Sequence, residues 1–180
     1  MSNIVLGTGR CNPPTRGHHG LIKRVADLAK EHGLRAEFHI VDGEQSGQDK
    51  QKNPLSPEQR IAVLKGWFPS VHFDIAGSAY EVMEILEVQN KRPTFMVAGS
   101  DRAKKYKRLL DYAGFHTARI IELDRESGDA DGVSATKARA AAAAGDFAEF
   151  ARMMPSEVDI NSVRESYDLV RKALTEDGAG

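Results

Sequence analysis

Short segments rich in β-branched and aromatic residues alternate along this chain with segments whose apolar residues recur every three or four positions. The β-rich segments are Ile4–Leu6, Ala36–Val41, Val71–Ile75, Thr94–Val97 and Arg119–Leu123. This alternation is typical of a parallel sheet whose strands are joined by right-handed helical crossovers. We therefore predict an α/β fold with a doubly wound, Rossmann-like sheet of five parallel strands, which binds ligands at the carboxyl ends of its strands.

Helix-starting and helix-ending residues lie where this interpretation requires them. Ser56-Pro57-Glu58-Gln59 combines a capping box with a proline at the first helical position, so a helix begins there, and Gly33 ends an earlier one. The polar, acidic stretch 124–132 predicts a loop, and every later apolar cluster has helical spacing. We expect these C-terminal helices to pack on the sheet, so that residues 1–174 form a single domain and 175–180 a frayed tail.

Composition limits the partners of the chain. The 180 residues have a formal net charge of −1, which predicts neither a nucleic-acid partner nor a membrane surface. No apolar run reaches the roughly 18 residues of a transmembrane helix, and the N-terminus lacks a secretory signal pattern. The single cysteine, Cys11, excludes an internal disulfide framework, and no Cys/His spacing indicates a metal site. We expect a cytoplasmic protein, and these features do not decide whether it forms a homo-oligomer.

Three segments that follow predicted strands carry groups suited to phosphates. Gly9-Arg10-Cys11-Asn12-Pro13-Pro14-Thr15-Arg16-Gly17-His18 leads into the first helix, where unpaired N–H groups favour anions and a histidine can place a proton on a phosphate. In Gly99-Ser100-Asp101 the carboxylate is placed either to bind ribose hydroxyls or to cap the next helix. Ser134-Ala135-Thr136-Lys137-Ala138-Arg139 adds hydroxyls and cations at a helix start. Such segments meet at one edge of a doubly wound sheet.

The first and third segments resemble two signatures of the nucleotidylyltransferase superfamily, G-x-F-x-P-x-[HT]-x-G-H and an [ST]-x-x-[ST]-x-x-R type element, whose archaeal-type form is S-x-T-x-x-R. The order along the whole chain resembles that of the archaeal-type nicotinamide mononucleotide adenylyltransferases. Their intermediate and final elements are matched by Lys52-Asn53-Pro54-Leu55 with Gln59-Arg60, and by Gly145-Asp146 followed by Met154-Pro155. The resemblance implies transfer of the AMP moiety of ATP to a phosphorylated acceptor, nicotinamide mononucleotide, giving NAD and pyrophosphate. It also implies Mg²⁺ held mostly by phosphates and water rather than by protein ligands.

The resemblance also assigns roles to residues. His18, Thr15 and Arg139 are expected to be catalytic, with His18 stabilising charge on the α-phosphate. Nucleotide contacts are expected from Gly9, Arg10, Gly17, Gly99, Asp101, Ser134 and Thr136. Lys52 and Tyr80 are expected to bind the acceptor.

Three positions depart from the family pattern. Cys11 stands where the family has an aromatic residue, Thr15 where it has histidine, and Lys52 where it has an arginine with a bidentate fork. Tyr80 aligns with a tryptophan associated with nicotinamide stacking. These differences bear on the acceptor more than on the reaction. The same chemistry on phosphopantetheine, a sugar phosphate or a lipid head-group phosphate, with CTP as another donor, therefore stays open, as does a nucleotide-binding module without turnover.

Overall fold

Five parallel strands form one sheet in the computed structural model, which describes residues 1–43, 49–124 and 133–176. The strands are β1 (Ser2–Gly9), β2 (Arg35–Val41), β3 (His72–Ala76), β4 (Lys91–Gly99) and β5 (Arg119–Leu123). Their order is β3-β2-β1-β4-β5, and every pairing is parallel. The predicted five-stranded, Rossmann-like parallel sheet is confirmed.

Helices cover both faces of this sheet. The described helices are α1 (Arg16–His32), α2 (Pro57–Trp67), α3 (Ala79–Val88), α4 (Ala103–Tyr112), α5 (Val133–Ala144), α6 (Phe147–Arg152) and α7 (Ile160–Glu176). On one face α1 packs on β1, β2 and β4 and α2 packs on β3, and Phe38 belongs to the apolar cluster that they bury. On the other face α3 and α4 pack around Leu6 and Met96. None of the helices in the described ranges has the length and apolar character needed to span a bilayer.

The C-terminal helices have a core of their own that is continuous with the rest of the molecule. Phe150 and Val170 are fully buried in it, and Leu55, which precedes α2, belongs to the same cluster. The backbone N–H of Arg16, at the start of α1, donates to the carbonyl of Met153 at 2.9 Å. The last three helices therefore pack beside the start of α1, which contains the end of the segment 9–18.

The two ends of this C-terminal region border on undescribed residues. The helix α7 continues through Thr175, whose Oγ1 donates to the Arg171 carbonyl at 2.8 Å, and ends at Glu176. The remaining part of the predicted tail, 177–180, lies outside the described residues, as does most of the predicted loop, 125–132.

The strands β1 and β4 are longer than their apolar patterns predict. The strand β4 begins at Lys91 instead of Thr94, so that it includes Pro93. Ile4 pairs with Pro93 whereas Val5 pairs with Phe95, so the register shifts by one residue there. A proline cannot donate to a ladder and is tolerated at such an irregularity, which an apolar pattern does not reveal.

The strand β1 extends through Gly7, which lets α1 approach the sheet closely. A Cβ atom at Gly7 would lie 2.9 Å from both Phe38 Cδ2 and Val25 Cγ2. Glycine is therefore required for this packing. The close approach brings the first turn of α1 next to the carboxyl end of β1.

Candidate active site

A small cavity of about 150 Å³ lies at the carboxyl ends of β1 and β4. Its lining comes from the loop after β1, the first turn of α1, the turn after β4 and the start of α5, and consists of Arg10, Cys11, Asn12, His18, Arg102, Ala135, Thr136 and Arg139. The strand β1 connects to β2 on one side and β4 connects to β5 on the other, so the strand order reverses between them. This is the switch point at which open α/β sheets bind ligands.

The size and charge of the cavity favour phosphate groups. Its volume is below the roughly 300 Å³ at which ligand pockets begin, and is therefore less than a whole nucleotide needs. Three of the eight lining residues are arginines and none is acidic. No set of three or more potential metal ligands clusters within the described ranges. The lining that the described residues provide therefore favours an anion, and the other parts of a nucleotide would lie outside this volume.

His18 is oriented by the residue that begins its helix. Thr15 is the N-cap of α1, and its backbone N–H donates to His18 Nδ1 at 3.1 Å, while its Oγ1 lies 3.2 Å from the same nitrogen. Both side chains are buried, with exposed fractions of 1% and 8%. Because Nδ1 accepts, the hydrogen-bond pattern assigns the proton of the neutral ring to Nε2. His18 can thus donate from Nε2 in its neutral form.

Arg139 connects α5 to the loop after β1. Its Nη1 donates to the carbonyl of Asn12 at 2.9 Å, and its Nη2 donates to Thr136 Oγ1 at 3.2 Å. Burial, followed by the like charge of Arg10, lowers the pKa of Arg139, and Asp49 opposes this shift. An arginine remains charged under such conditions, so the site holds positive charge that a phosphate would compensate.

The loop itself is held at several points of its backbone. The Asn12 side chain, 2% exposed, donates to the Leu55 carbonyl at 3.1 Å and accepts from the Leu55 N–H at 2.9 Å. Cys11 has a φ of 53°, in the left-handed region that residues with a side chain rarely adopt. Strain of this kind persists only where the surroundings fix the backbone, as the contacts of Asn12 do here.

Several other predicted residues border the cavity without lining it. Gly9 ends β1 close to His18, since a Cβ added to it would lie 3.9 Å from the ring. Gly17 lies in the first turn of α1, and Ser134 is buried in the first turn of α5. Gly99 ends β4, and its carbonyl accepts from the N–H of Arg102 at 3.0 Å.

Asp101 lies exposed in the turn between β4 and α4. The N-cap of α4 is Arg102, the next residue, so Asp101 does not occupy the capping position. Its position beside the cavity is compatible with the other predicted role, contact with a nucleotide.

Lys52 and Tyr80 are not brought into the cavity lining. Lys52 is exposed, in a turn where its N–H donates to the Asp49 carbonyl at 3.2 Å. Tyr80 is 48% exposed at the start of α3, with its ring 5.2 Å from that of Tyr112. A hydrogen bond with Tyr112 is the main cause that raises the pKa of Tyr80.

Four contributors to the site were not singled out by the sequence patterns. Two of them, Asn12 and Arg102, line the cavity. The other two hold Arg10: Asn53 accepts from its side chain, and Arg60 donates to its carbonyl. Arg102 had a signal, because it directly follows Asp101 at a strand end. Asn53 and Arg60 belong to segments of the family pattern, but their roles depend on contacts more than 40 residues away along the chain.

A comparison with models of protein families finds a match over most of the chain. A family model described as cytidylyltransferase-like matches residues 6–141, a range that includes every residue lining the cavity. No curated protein sequence matches the chain significantly.

Two similar solved structures share the fold at low sequence identity. One is a nicotinic acid mononucleotide adenylyltransferase from Plasmodium falciparum complexed with APC, with a TM-score of 0.51, 13% identity, and coverage of 99% of this chain and 96% of that one. The other is a macrolide-efflux protein from Streptococcus pneumoniae, with a TM-score of 0.58, 17% identity and coverage of 84% of this chain. This chain spans only about half of the latter, at 55% of its length.

Proposed function

The chain belongs to the cytidylyltransferase-like family, and from that premise we propose that it is a nucleotidyltransferase, specifically an adenylyltransferase. In this proposal it transfers the AMP moiety of ATP to nicotinamide mononucleotide, forming NAD and releasing pyrophosphate. The observation that carries the proposal is the arginine-lined cavity at the switch point of the sheet, into which His18 is directed by Thr15. The adenylyltransferase from P. falciparum, whose acceptor is nicotinic acid mononucleotide, supports an acceptor of this chemical class.

The proposed reaction needs no covalent intermediate. An oxygen of the acceptor phosphate attacks the α-phosphorus of ATP, the bond from that phosphorus to the bridging oxygen breaks, and pyrophosphate leaves. His18 donates its Nε2 proton as a hydrogen bond to an α-phosphate or bridging oxygen, where negative charge develops. In this proposal Thr15 makes no substrate contact of its own and acts by fixing the orientation of the His18 ring.

The leaving pyrophosphate is bound in this proposal by the start of α5. Arg139 and Thr136 contribute side-chain donors, and the first turn of α5, with Ser134, contributes backbone N–H groups. Arg10, which also lines the cavity, adds further positive charge. These groups act by orientation and charge, which are the main sources of rate in transfers of this type.

In this proposal Mg²⁺ is bound by the phosphates of the substrate and not by residues that line the cavity. No carboxylate among the described residues lines the cavity, so we assign no protein ligand to Mg²⁺. When bound to the triphosphate, Mg²⁺ neutralises part of the phosphate charge. The arginines then compensate the remainder.

The remaining predicted residues bind the parts of the substrates that extend beyond the cavity. Gly9, Gly17 and Gly99 allow close approach of the nucleotide to the backbone, and Asp101 accepts from ribose hydroxyls. The acceptor-binding residues in this proposal are Lys52 and Tyr80. Both are exposed and lie outside the cavity, as expected for contacts to a larger acceptor.

An acceptor screen tests the proposal. The protein is incubated with Mg²⁺ and either ATP or CTP, together with nicotinamide mononucleotide, nicotinic acid mononucleotide, phosphopantetheine, a sugar phosphate or phosphocholine, and pyrophosphate release is measured. We expect the fastest release with ATP and nicotinamide mononucleotide, accompanied by NAD. Faster release with another acceptor, or with CTP, would reassign the substrates. Binding of ATP without release from any acceptor would instead favour a nucleotide-binding module.

A further inference from the structure

Arg60 is a buried arginine that the proposed reaction does not use. Its side chain is 1% exposed, although it lies on α2, outside the cavity lining. Its guanidinium donates in three directions: from Nε to the Ser56 carbonyl at 3.3 Å, from Nη1 to the Arg10 carbonyl at 2.9 Å, and from Nη2 to Asp42. A buried guanidinium is stable only when its donors are satisfied in this way.

These contacts join three separate segments. Asp42 follows β2, Ser56 is the N-cap of α2, and Arg10 lies in the loop between β1 and α1. An ion pair with Asp42 needs only a positive charge, but the bond from Nη1 to the Arg10 carbonyl also needs the fork geometry of arginine. The main chain of Arg10 is therefore fixed from the α2 side.

The side chain of Arg10 is held from the same side. Its Nη2 donates to Asn53 Oδ1, and Asn53, which is 3% exposed, donates in turn to the Asp49 carbonyl at 3.2 Å. Arg10 is itself exposed, yet it lines the cavity at the carboxyl ends of β1 and β4. An exposed arginine ordinarily loses conformational entropy when it binds a ligand, and contacts that order it beforehand reduce this cost.

We propose that Arg60 is a positioning residue: together with Asn53 it holds Arg10 at the phosphate cavity, so that Arg10 binds a diphosphate or triphosphate group without first being ordered. The proposal rests on the proposed function, because it takes the ligand of the cavity to be a polyphosphate. It assigns to α2 and the turn before it a role in phosphate affinity, although neither lines the cavity.

A double-mutant cycle tests this role with inorganic pyrophosphate as the probe. Calorimetry gives the Kd of pyrophosphate for the wild type, Arg60→Lys, Asn53→Ala, Arg10→Ala and each combination with Arg10→Ala. The melting temperature of each variant is measured in parallel. Arg92→Lys, on an exposed residue of β4, is the matched control.

We expect Arg60→Lys and Asn53→Ala each to weaken pyrophosphate binding by about fivefold to tenfold. Neither should weaken binding further in the Arg10→Ala background, because both act through Arg10. Lower melting temperature with unchanged Kd would overturn the proposal, and so would equal losses in both backgrounds. If Arg60→Lys does not fold, the effect of Asn53→Ala on the Kd in the wild-type and Arg10→Ala backgrounds tests the proposal by the same criteria.

The cycle also separates this inference from the proposed function. A wild-type protein that does not bind pyrophosphate would contradict both. A wild-type protein that binds pyrophosphate and shows the expected cycle, but forms no product with any acceptor, would contradict only the transferase proposal.

Discussion

Thr15 provides His18 with a donor from the backbone and a polar contact from the side chain. Both reach Nδ1, at 3.1 and 3.2 Å, and leave the ring a single tautomer in its neutral form. A histidine at position 15, as in the resembling family, would add a second imidazole at this place. Threonine instead fills a buried position, 1% exposed, and its contribution in our proposal is the orientation of His18.

Removal of the His18 imidazole should abolish most turnover without unfolding the protein. We expect His18→Ala to lower the rate of pyrophosphate release by about 10²- to 10⁴-fold, because it removes the donor to the reacting phosphate. The measurement is initial rate at saturating ATP and acceptor, with circular dichroism as the check on folding. His116→Ala, at a histidine that is 72% exposed, is the control and should keep the wild-type rate. Wild-type turnover by His18→Ala would remove the role given to this residue.

At the scale of one element, β2 carries an ionic network on a buried strand. Glu37 is 0% exposed, with its Oε2 at 2.9 Å from Lys91 Nζ and its Oε1 at 3.4 Å from His39 Nε2. Burial raises the pKa of Glu37, but the hydrogen bonds of His39 and Lys91 outweigh it and lower that pKa to about 2. The charged form of Glu37 therefore stabilises the fold.

The pH dependence of stability should reveal this network. Because the folded pKa lies below the unfolded value of 4.5, the contribution is complete above pH 4.5 and is lost as the pH falls toward 2. We expect Glu37→Gln to lower the free energy of unfolding by about 2 to 3 kcal/mol at pH 7, with a difference from wild type that shrinks below pH 4.5. Denaturant unfolding at a series of pH values measures it. Glu84→Gln, on the exposed side of α3, is the control, and a difference independent of pH would contradict the assignment.

The elements themselves could be predicted because local patterns determine them. The capping box at Ser56 and the glycine at position 33 lie at the observed helix ends, with Gly33 at a φ of 65°. The start of β4 could not be predicted, because the irregular register that accommodates Pro93 depends on its pairing with β1. A local pattern contains no information about a neighbouring strand.

At the scale of the whole molecule, the cavity joins parts that are distant along the chain. The bond from Arg139 to the Asn12 carbonyl spans 127 residues and connects α5 to the loop after β1. A polyphosphate in the cavity would contact both sides of this junction. Binding at such a place stabilises the folded state as a unit, because the unfolded chain has no equivalent site.

Pyrophosphate should therefore raise the melting temperature of the protein. At a concentration of about 100 times its Kd, a ligand stabilises the folded state by about 2.7 kcal/mol. This corresponds to an increase in melting temperature of about 5 to 10 °C for a chain of this size. We expect Arg139→Ala to lose most of this increase, since it removes donors at the junction. Thermal unfolding with and without pyrophosphate measures both values. Arg92→Ala, on an exposed residue, should keep the full increase, and an unchanged increase in Arg139→Ala would argue against the assigned site.

The sequence by itself determined the α/β class, the five strands and the segments that carry His18, Thr136 and Arg139. These features follow from short-range periodicity, capping residues and motif spacing, which a linear pattern contains. The resemblance to a known family led to the expectation of Lys52 and Tyr80 at the acceptor, which remains a prediction.

Only the tertiary structure decided which of these residues meet and what holds them. It placed Arg102 in the cavity, connected Arg139 to the Asn12 carbonyl, and fixed Arg10 through Asn53 and Arg60. These contacts depend on the strand order and on the close approach of α1 to β1, which are set by packing between distant segments. The physical reason is that hydrogen bonds of this kind require positions in space that separation along the chain does not specify.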